Sequence, residues 1–147
     1  GTIACIATDH APHTKDEKNG SYFNAPSGGP LVQHALVAML DLVHDGLLPV
    51  EKVVDLMAHR VARLFRMSDR GFIRPGMKAD LVLVHPNDPW TVREDNIMSK
   101  CGWSPFTGHV FKSRVHETWV NGTCVWDGRR ITTSRGDHAG QRLTFNR

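Results

Sequence analysis

The sequence has no cysteine pair at any recognisable spacing. Its three cysteines, Cys5, Cys101 and Cys124, are odd in number, far apart and free of a CxxC motif, which excludes a disulfide framework and fits reduced thiols in a cytoplasmic protein. None is expected to ligate a metal. Nor is there an apolar run near the roughly 20 residues that cross a bilayer, or a charged leader followed by an apolar stretch, so no membrane span or export signal is expected. Basic residues outnumber acidic ones by a formal +3, yet they are scattered. Without a basic run or a basic stripe interleaved with aromatics, nucleic acid is not an expected partner. Internal repeats and low-complexity tracts are also missing.

What is present is 147 residues, 40% of them hydrophobic, enough to bury a core. The chain begins abruptly: Gly1-Thr2 leads straight into the apolar run Ile3-Ala4-Cys5-Ile6-Ala7. That run reads as a buried strand entered without a supporting element, so a fragment of a larger fold is expected. It stops at Thr8-Asp9-His10-Ala11-Pro12-His13. A β-prone run ending at an acid and two histidines delivers reactive side chains to its carboxyl end, where α/β barrels keep their chemistry.

From His13 to Pro30 the chain reads as one long loop, a length more often functional than not, with Lys15 to Lys18 as a solvated mixed-charge surface. A helix follows, with Pro30 in its first turn and a stop at Gly46, and a second runs from about Pro49 to Phe65. From Gly71 the pattern turns to β. Gly71 to Gly76 reads as a strand and tight turn, Ala79 to Val84 as an apolar strand, and Val115 to Trp126 as a hairpin turning at Asn121-Gly122. Asn87 to Phe111 is irregular, Asp127-Gly128 is another turn, and the tail around Arg135 to Gly140 reads as polar and mobile.

Asp9 is the strongest chemical candidate. A carboxylate there ligates a cation, works as a general acid/base or caps the following turn, and the residue types alone leave these three open. His10 and His13 add two more ligands or proton carriers within five residues. Pro12 between them works against the helical arrangement that aims two histidines at one zinc ion. The other seven histidines, His34, His44, His59, His85, His109, His116 and His138, lack ligand spacing and read as surface or satisfied core partners.

Asp9-His10-Ala11-Pro12-His13, with Pro26-Ser27-Gly28-Gly29, the Ile73-Arg74-Pro75-Gly76-Met77-Lys78-Ala79-Asp80-Leu81 stretch and Trp103-Ser104-Pro105-Phe106-Thr107-Gly108, resembles the dihydroorotases, cyclic amidohydrolases of pyrimidine biosynthesis. The resemblance implies an α/β fold: the carboxyl-terminal part of a TIM-type (β/α)8 barrel plus part of an appended β-sandwich. Residues 1–68 would be the last barrel strand, substrate loop and helices, and residues 69–147 the small β domain and tail. A whole barrel takes about 250 residues. The resemblance further implies zinc-dependent, reversible hydrolysis of dihydroorotate to N-carbamoyl-aspartate. Asp9 would be metal ligand and catalytic proton carrier, His13 the reader of the substrate carboxylate, and Ser27 and Gly28 backbone contacts to the ring. His10 would hold the turn, and Trp103 receives no catalytic duty. The other zinc ligands would lie outside this segment, in the remainder of the barrel. A homodimer and an aspartate transcarbamoylase partner are implied as well. Val61 departs from the pattern, since many relatives carry proline there.

Three rivals remain: a dihydropyrimidinase or hydantoinase acting on a neutral ring, an inactive dihydroorotase-like scaffold subunit, and an autonomous α+β binding module. His13 speaks against the first and the Asp9/His13 pair against the second.

Overall fold

The structure is a computed structural model and describes residues 2–133 and 139–146. It divides into a helical first half and an antiparallel β second half that share one core. The expected buried strand at Ile3–Ala7 is not found. Thr2 to Ala4 are exposed, with Ile3 63% accessible, and the run is held to the helices by Ile6 N–H donating to the Leu56 carbonyl and the Ile3 carbonyl accepting from the Arg60 guanidinium, each at 3.1 Å. A strand needs a neighbour, and none of the described residues offers it a ladder.

The 13–30 segment is not structureless either. Thr14 opens a one-turn helix, α1 (Lys15–Lys18), with a reciprocal capping box: the Thr14 hydroxyl accepts from Glu17 N–H at 3.2 Å and the Glu17 carboxylate accepts from Thr14 N–H at 2.7 Å. The Thr-x-x-Glu spacing carries that signal in the sequence. Helix α2 (Ala35–His44) starts four residues later than its apolar period suggests, because Leu31 to His34 form a preceding turn, closed by His34 N–H to the Leu31 carbonyl. Its end agrees with expectation. Gly46 has φ +70° and the Leu47 and Gly46 amides return to the Leu42 and Val43 carbonyls at 2.9 and 3.0 Å, which satisfies the last turn.

From Pro49 a continuous helical rod runs through α3 (Val50–Val54), a π turn (Asp55–His59) and α4 (Arg60–Leu64). Val61 lies inside it, with no break. Val53, Leu56 and Ala62 are its buried residues. Gly71 then packs so closely that a Cβ there would sit 2.4 Å from the Ala62 methyl. The strand expected at Gly71 to Arg74 is absent for this reason: φ of +87° at Gly71 turns the chain against the rod instead of extending it.

Strand β1 (Leu81–His85) pairs antiparallel with β4 (Arg114–Val120), which pairs antiparallel with β5 (Thr123–Trp126). Asn121 and Gly122 both have positive φ, +49° and +81°, as a type I′ turn requires. A short ribbon, β2 (Trp90–Thr91) with β3 (Val110–Phe111), gives part of the irregular segment an order that composition did not show. Buried Arg70 ties the helical half to the sheet, pairing with Asp69 and Asp80, while Asp80 also accepts the Asn121 amide at 2.8 Å.

Val37 of α2, Val92 and Phe111 form the core, with Trp90, Ile97, Phe106 and Val115 against them. Phe111 is fully buried, worth on the order of 2–3 kcal/mol by apolar area alone. No helix among the described residues is long and apolar enough to cross a membrane.

Candidate functional site

The Asp9–His13 motif and the Ser27–Gly29 segment come together side by side. Ala11 N–H donates to the Gly29 carbonyl at 3.0 Å, and His10 and Gly29 form a parallel bridge. Gly28 makes the approach possible. Its φ is +85°, and a Cβ there would meet the Ala11 methyl at 2.7 Å and lie 3.9 Å from the Asp9 carbonyl oxygen.

Asp9 itself has φ +45°, a left-handed conformation that Asp and Asn adopt more readily than other side-chain-bearing residues. The kink turns it outward: the residue is exposed. His10 braces the turn from behind, its Nδ1 accepting from Val32 N–H at 3.3 Å.

His13 is held at three points. Its N–H donates to the Ala11 carbonyl at 2.9 Å, its carbonyl accepts from the Trp103 indole N–H at 2.7 Å, and its Nδ1 lies 3.7 Å from the Glu17 carboxylate, leaving the side chain 36% accessible. Bonds from the Thr14 backbone and hydroxyl hold Glu17 below the usual carboxylate range, with His13 contributing less. Charge on Glu17 is thereby favoured beside the imidazole.

Lys18 closes the other end of the loop. Its ammonium donates to the Pro26 and Gly28 carbonyls at 2.5 and 2.9 Å, so the solvated-surface reading fails for this residue. Lysine has three donors and no acceptor, and two carbonyls eight and ten residues further along the chain suit it. Lys15 does face solvent, paired with Glu94.

Three residues with no expected role, Trp103, Glu17 and Lys18, therefore shape the site. The capping box made Glu17 legible. Trp103 is 90 residues from His13, and no local pattern announces such a contact.

Among the described residues no three His, Cys, Asp or Glu side chains converge to hold a metal ion. Asp9 is one carboxylate, whereas catalytic zinc takes three protein ligands; these residues do not by themselves fit a zinc centre. What they do form is a braced loop carrying an exposed carboxylate, Asp9, and a half-buried imidazole, His13.

The amidohydrolase family model matches residues 8–126. The dihydroorotase of Halobacterium salinarum is 43% identical over 141 residues, covering 96% of this chain and 33% of that protein. The dihydroorotase of Clostridium acetobutylicum is 40% identical over 129 residues, covering 87% and 30%. Among solved structures, the L-hydantoinase (dihydropyrimidinase) of Arthrobacter aurescens superposes with a TM-score of 0.89 at 27% identity, over 98% of this chain and 33% of that one. The chain thus spans about a third of the length of the curated relatives it matches. With the motif, the loop and most of its length matched by one family model, this chain belongs to the amidohydrolase family and carries an α/β portion of that fold.

Proposed function

We propose that this chain is the part of a dihydroorotase that supplies the proton-carrying carboxylate, Asp9, and the substrate-carboxylate reader, His13. The supporting observation is the braced loop: it carries an exposed carboxylate, Asp9, and a half-buried imidazole, His13, on a motif whose Ala11 packs against Gly28 and bonds to Gly29. Identity of 43% to one dihydroorotase and 40% to another supports the same reading.

In the complete protein, water adds to the ring amide carbonyl of dihydroorotate. Asp9 accepts a proton from that water and returns it to the ring nitrogen as the C–N bond breaks, releasing N-carbamoyl-aspartate. An amide nitrogen leaves poorly unless protonated, so one carboxylate serves both halves of the reaction. His13 donates to the substrate carboxylate, a charge-assisted bond that a neutral ring would lack. Ser27 and Gly28 offer backbone groups to the ring.

Zinc is the ion proposed for the complete protein, with Asp9 as the one ligand from this chain. Residues 1–68 are read as the end of the barrel and residues 69–147 as part of an appended β-sandwich, the two joined through the Val37–Phe111 core. A cytoplasmic homodimer, with aspartate transcarbamoylase as a further partner, completes the proposal.

The superposition on an L-hydantoinase (dihydropyrimidinase) favours a second reading, a cyclic amidase of neutral rings. Turnover of dihydroorotate and of dihydrouracil by the zinc-loaded complete protein separates them. Dihydroorotate alone is the expected substrate; turnover of dihydrouracil selects the second reading, and turnover of neither selects the inactive scaffold.

A further inference from the structure

We infer that Trp103 is a positioning residue for His13, acting from the β half of the chain on substrate recognition in the helical half. This rests on the reading of His13 as the group that meets the substrate carboxylate.

Both backbone groups of His13 are committed, the N–H to Ala11 and the carbonyl to the Trp103 indole at 2.7 Å. With both fixed, the direction in which the imidazole leaves the chain is fixed too. The same indole reaches the second segment of the site: its Cη2 lies 3.9 Å from where a Gly29 Cβ would stand, so the ring lies close to Gly29, whose carbonyl accepts from Ala11. One side chain therefore touches both halves of the paired loop.

Trp103 is itself mounted on a firm base. Gly102 turns the chain with φ +70°, and the next residue, Ser104, is buried and bonded to His34 at the start of α2 at 3.2 Å. His34 in turn lies among the rings of Trp90, Phe106 and Phe111. A contiguous packed path thus runs from the core to the His13 carbonyl. The indole supplies both a flat face for the close approach and an N–H at its edge; phenylalanine keeps the first and loses the second.

The test uses Trp103→Phe in the complete protein, alone and with His13→Ala. Hydrogen exchange of residues 13–30 should rise in Trp103→Phe while the thermal midpoint stays near wild type. The KM for dihydroorotate should rise about fivefold, the effect of one ordinary hydrogen bond, with kcat within about twofold. On the His13→Ala background the same substitution should add less than about twofold, because it acts through the missing imidazole. Unchanged exchange overturns the proposal, as does a full second increase on the His13→Ala background, which marks a general structural role. If exchange rises but His13→Ala alone leaves KM and kcat unchanged, the reading of His13 has failed and the positioning role falls with it; the exchange data tell that failure from a failure of the clamp.

Discussion

Lys18 and Gly28 are joined by an ammonium-to-carbonyl bond of 2.9 Å, with the Pro26 carbonyl as the second acceptor at 2.5 Å. The bond folds the 13–30 segment back on itself and sets the carbonyls flanking Ser27. Lys18→Met keeps the aliphatic stem and removes the charge, leaving both carbonyls without this donor. We expect the loop to lose about 1–2 kcal/mol of ordering, given that bonds from charged donors exceed neutral ones. Faster hydrogen exchange over residues 19–30 and a several-fold higher KM should follow; wild-type exchange rates would show that the latch contributes nothing.

Asp9→Asn separates chemistry from conformation. The left-handed φ of +45° suits asparagine as well as aspartate, so the turn should survive while the proton carrier is lost. Turnover by the complete protein should fall by at least about a hundredfold, the lower range of what general acid/base groups contribute, with an unchanged thermal midpoint. Wild-type-like turnover would remove Asp9 from the mechanism.

Signals carried by neighbouring residues were legible in the sequence, and those needing distant ones were not. The Asn121-Gly122 turn and the stop at Gly46 follow from local backbone requirements, and the structure meets both. The run at Ile3–Ala7 carries a genuine β pattern, but pairing needs a neighbouring strand, which the described residues do not contain. Gly71 to Arg74 has strand composition too, and the close approach of Gly71 to Ala62 overrides it. In the loop, the motif marks Asp9 and His13 as candidates, and the Thr14–Glu17 spacing carries the signal of the capping box. The bond from Trp103 to His13 was invisible because the two are 90 residues apart. Its chemistry was readable; its address was not.

Gly71 and Gly76 offer a paired test of what overrides strand propensity. Both have positive φ, +87° and +85°, but a Cβ at Gly71 would press on the Ala62 methyl at 2.4 Å, while one at Gly76 meets nothing within 4 Å. Gly76→Ala should therefore cost only the left-handed strain, about 1 kcal/mol, whereas Gly71→Ala adds overpacking and should cost about 2–4 kcal/mol. Urea midpoints of the two variants measure the difference. Equal losses would mean that backbone strain alone, without the Ala62 contact, shapes this turn.

His34 should make stability depend on pH. The side chain is buried among Trp90, Phe106 and Phe111, its Nε2 has no hydrogen-bond partner among the described residues, and its Nδ1 faces the Ser104 hydroxyl. Ser104 Oγ already accepts from Phe106 N–H at 3.2 Å, which leaves its proton free to donate to Nδ1 of a neutral ring. None of these contacts is a carboxylate that would favour the imidazolium, and burial pushes the His34 pKa below its ordinary value. The unfolded chain therefore takes up a proton at a higher pH than the folded one. Stability carried by the neutral ring is complete above about pH 6.5, the ordinary histidine value, and is lost as pH falls from there toward the lower folded pKa. His34→Phe keeps an aromatic ring in the cluster and removes the proton site. Urea unfolding of the complete protein at pH 7.5 and 5.5 should show a smaller difference for the variant than for wild type. An identical difference in the two proteins would mean that other groups carry the acid sensitivity and that His34 titrates alike in both states.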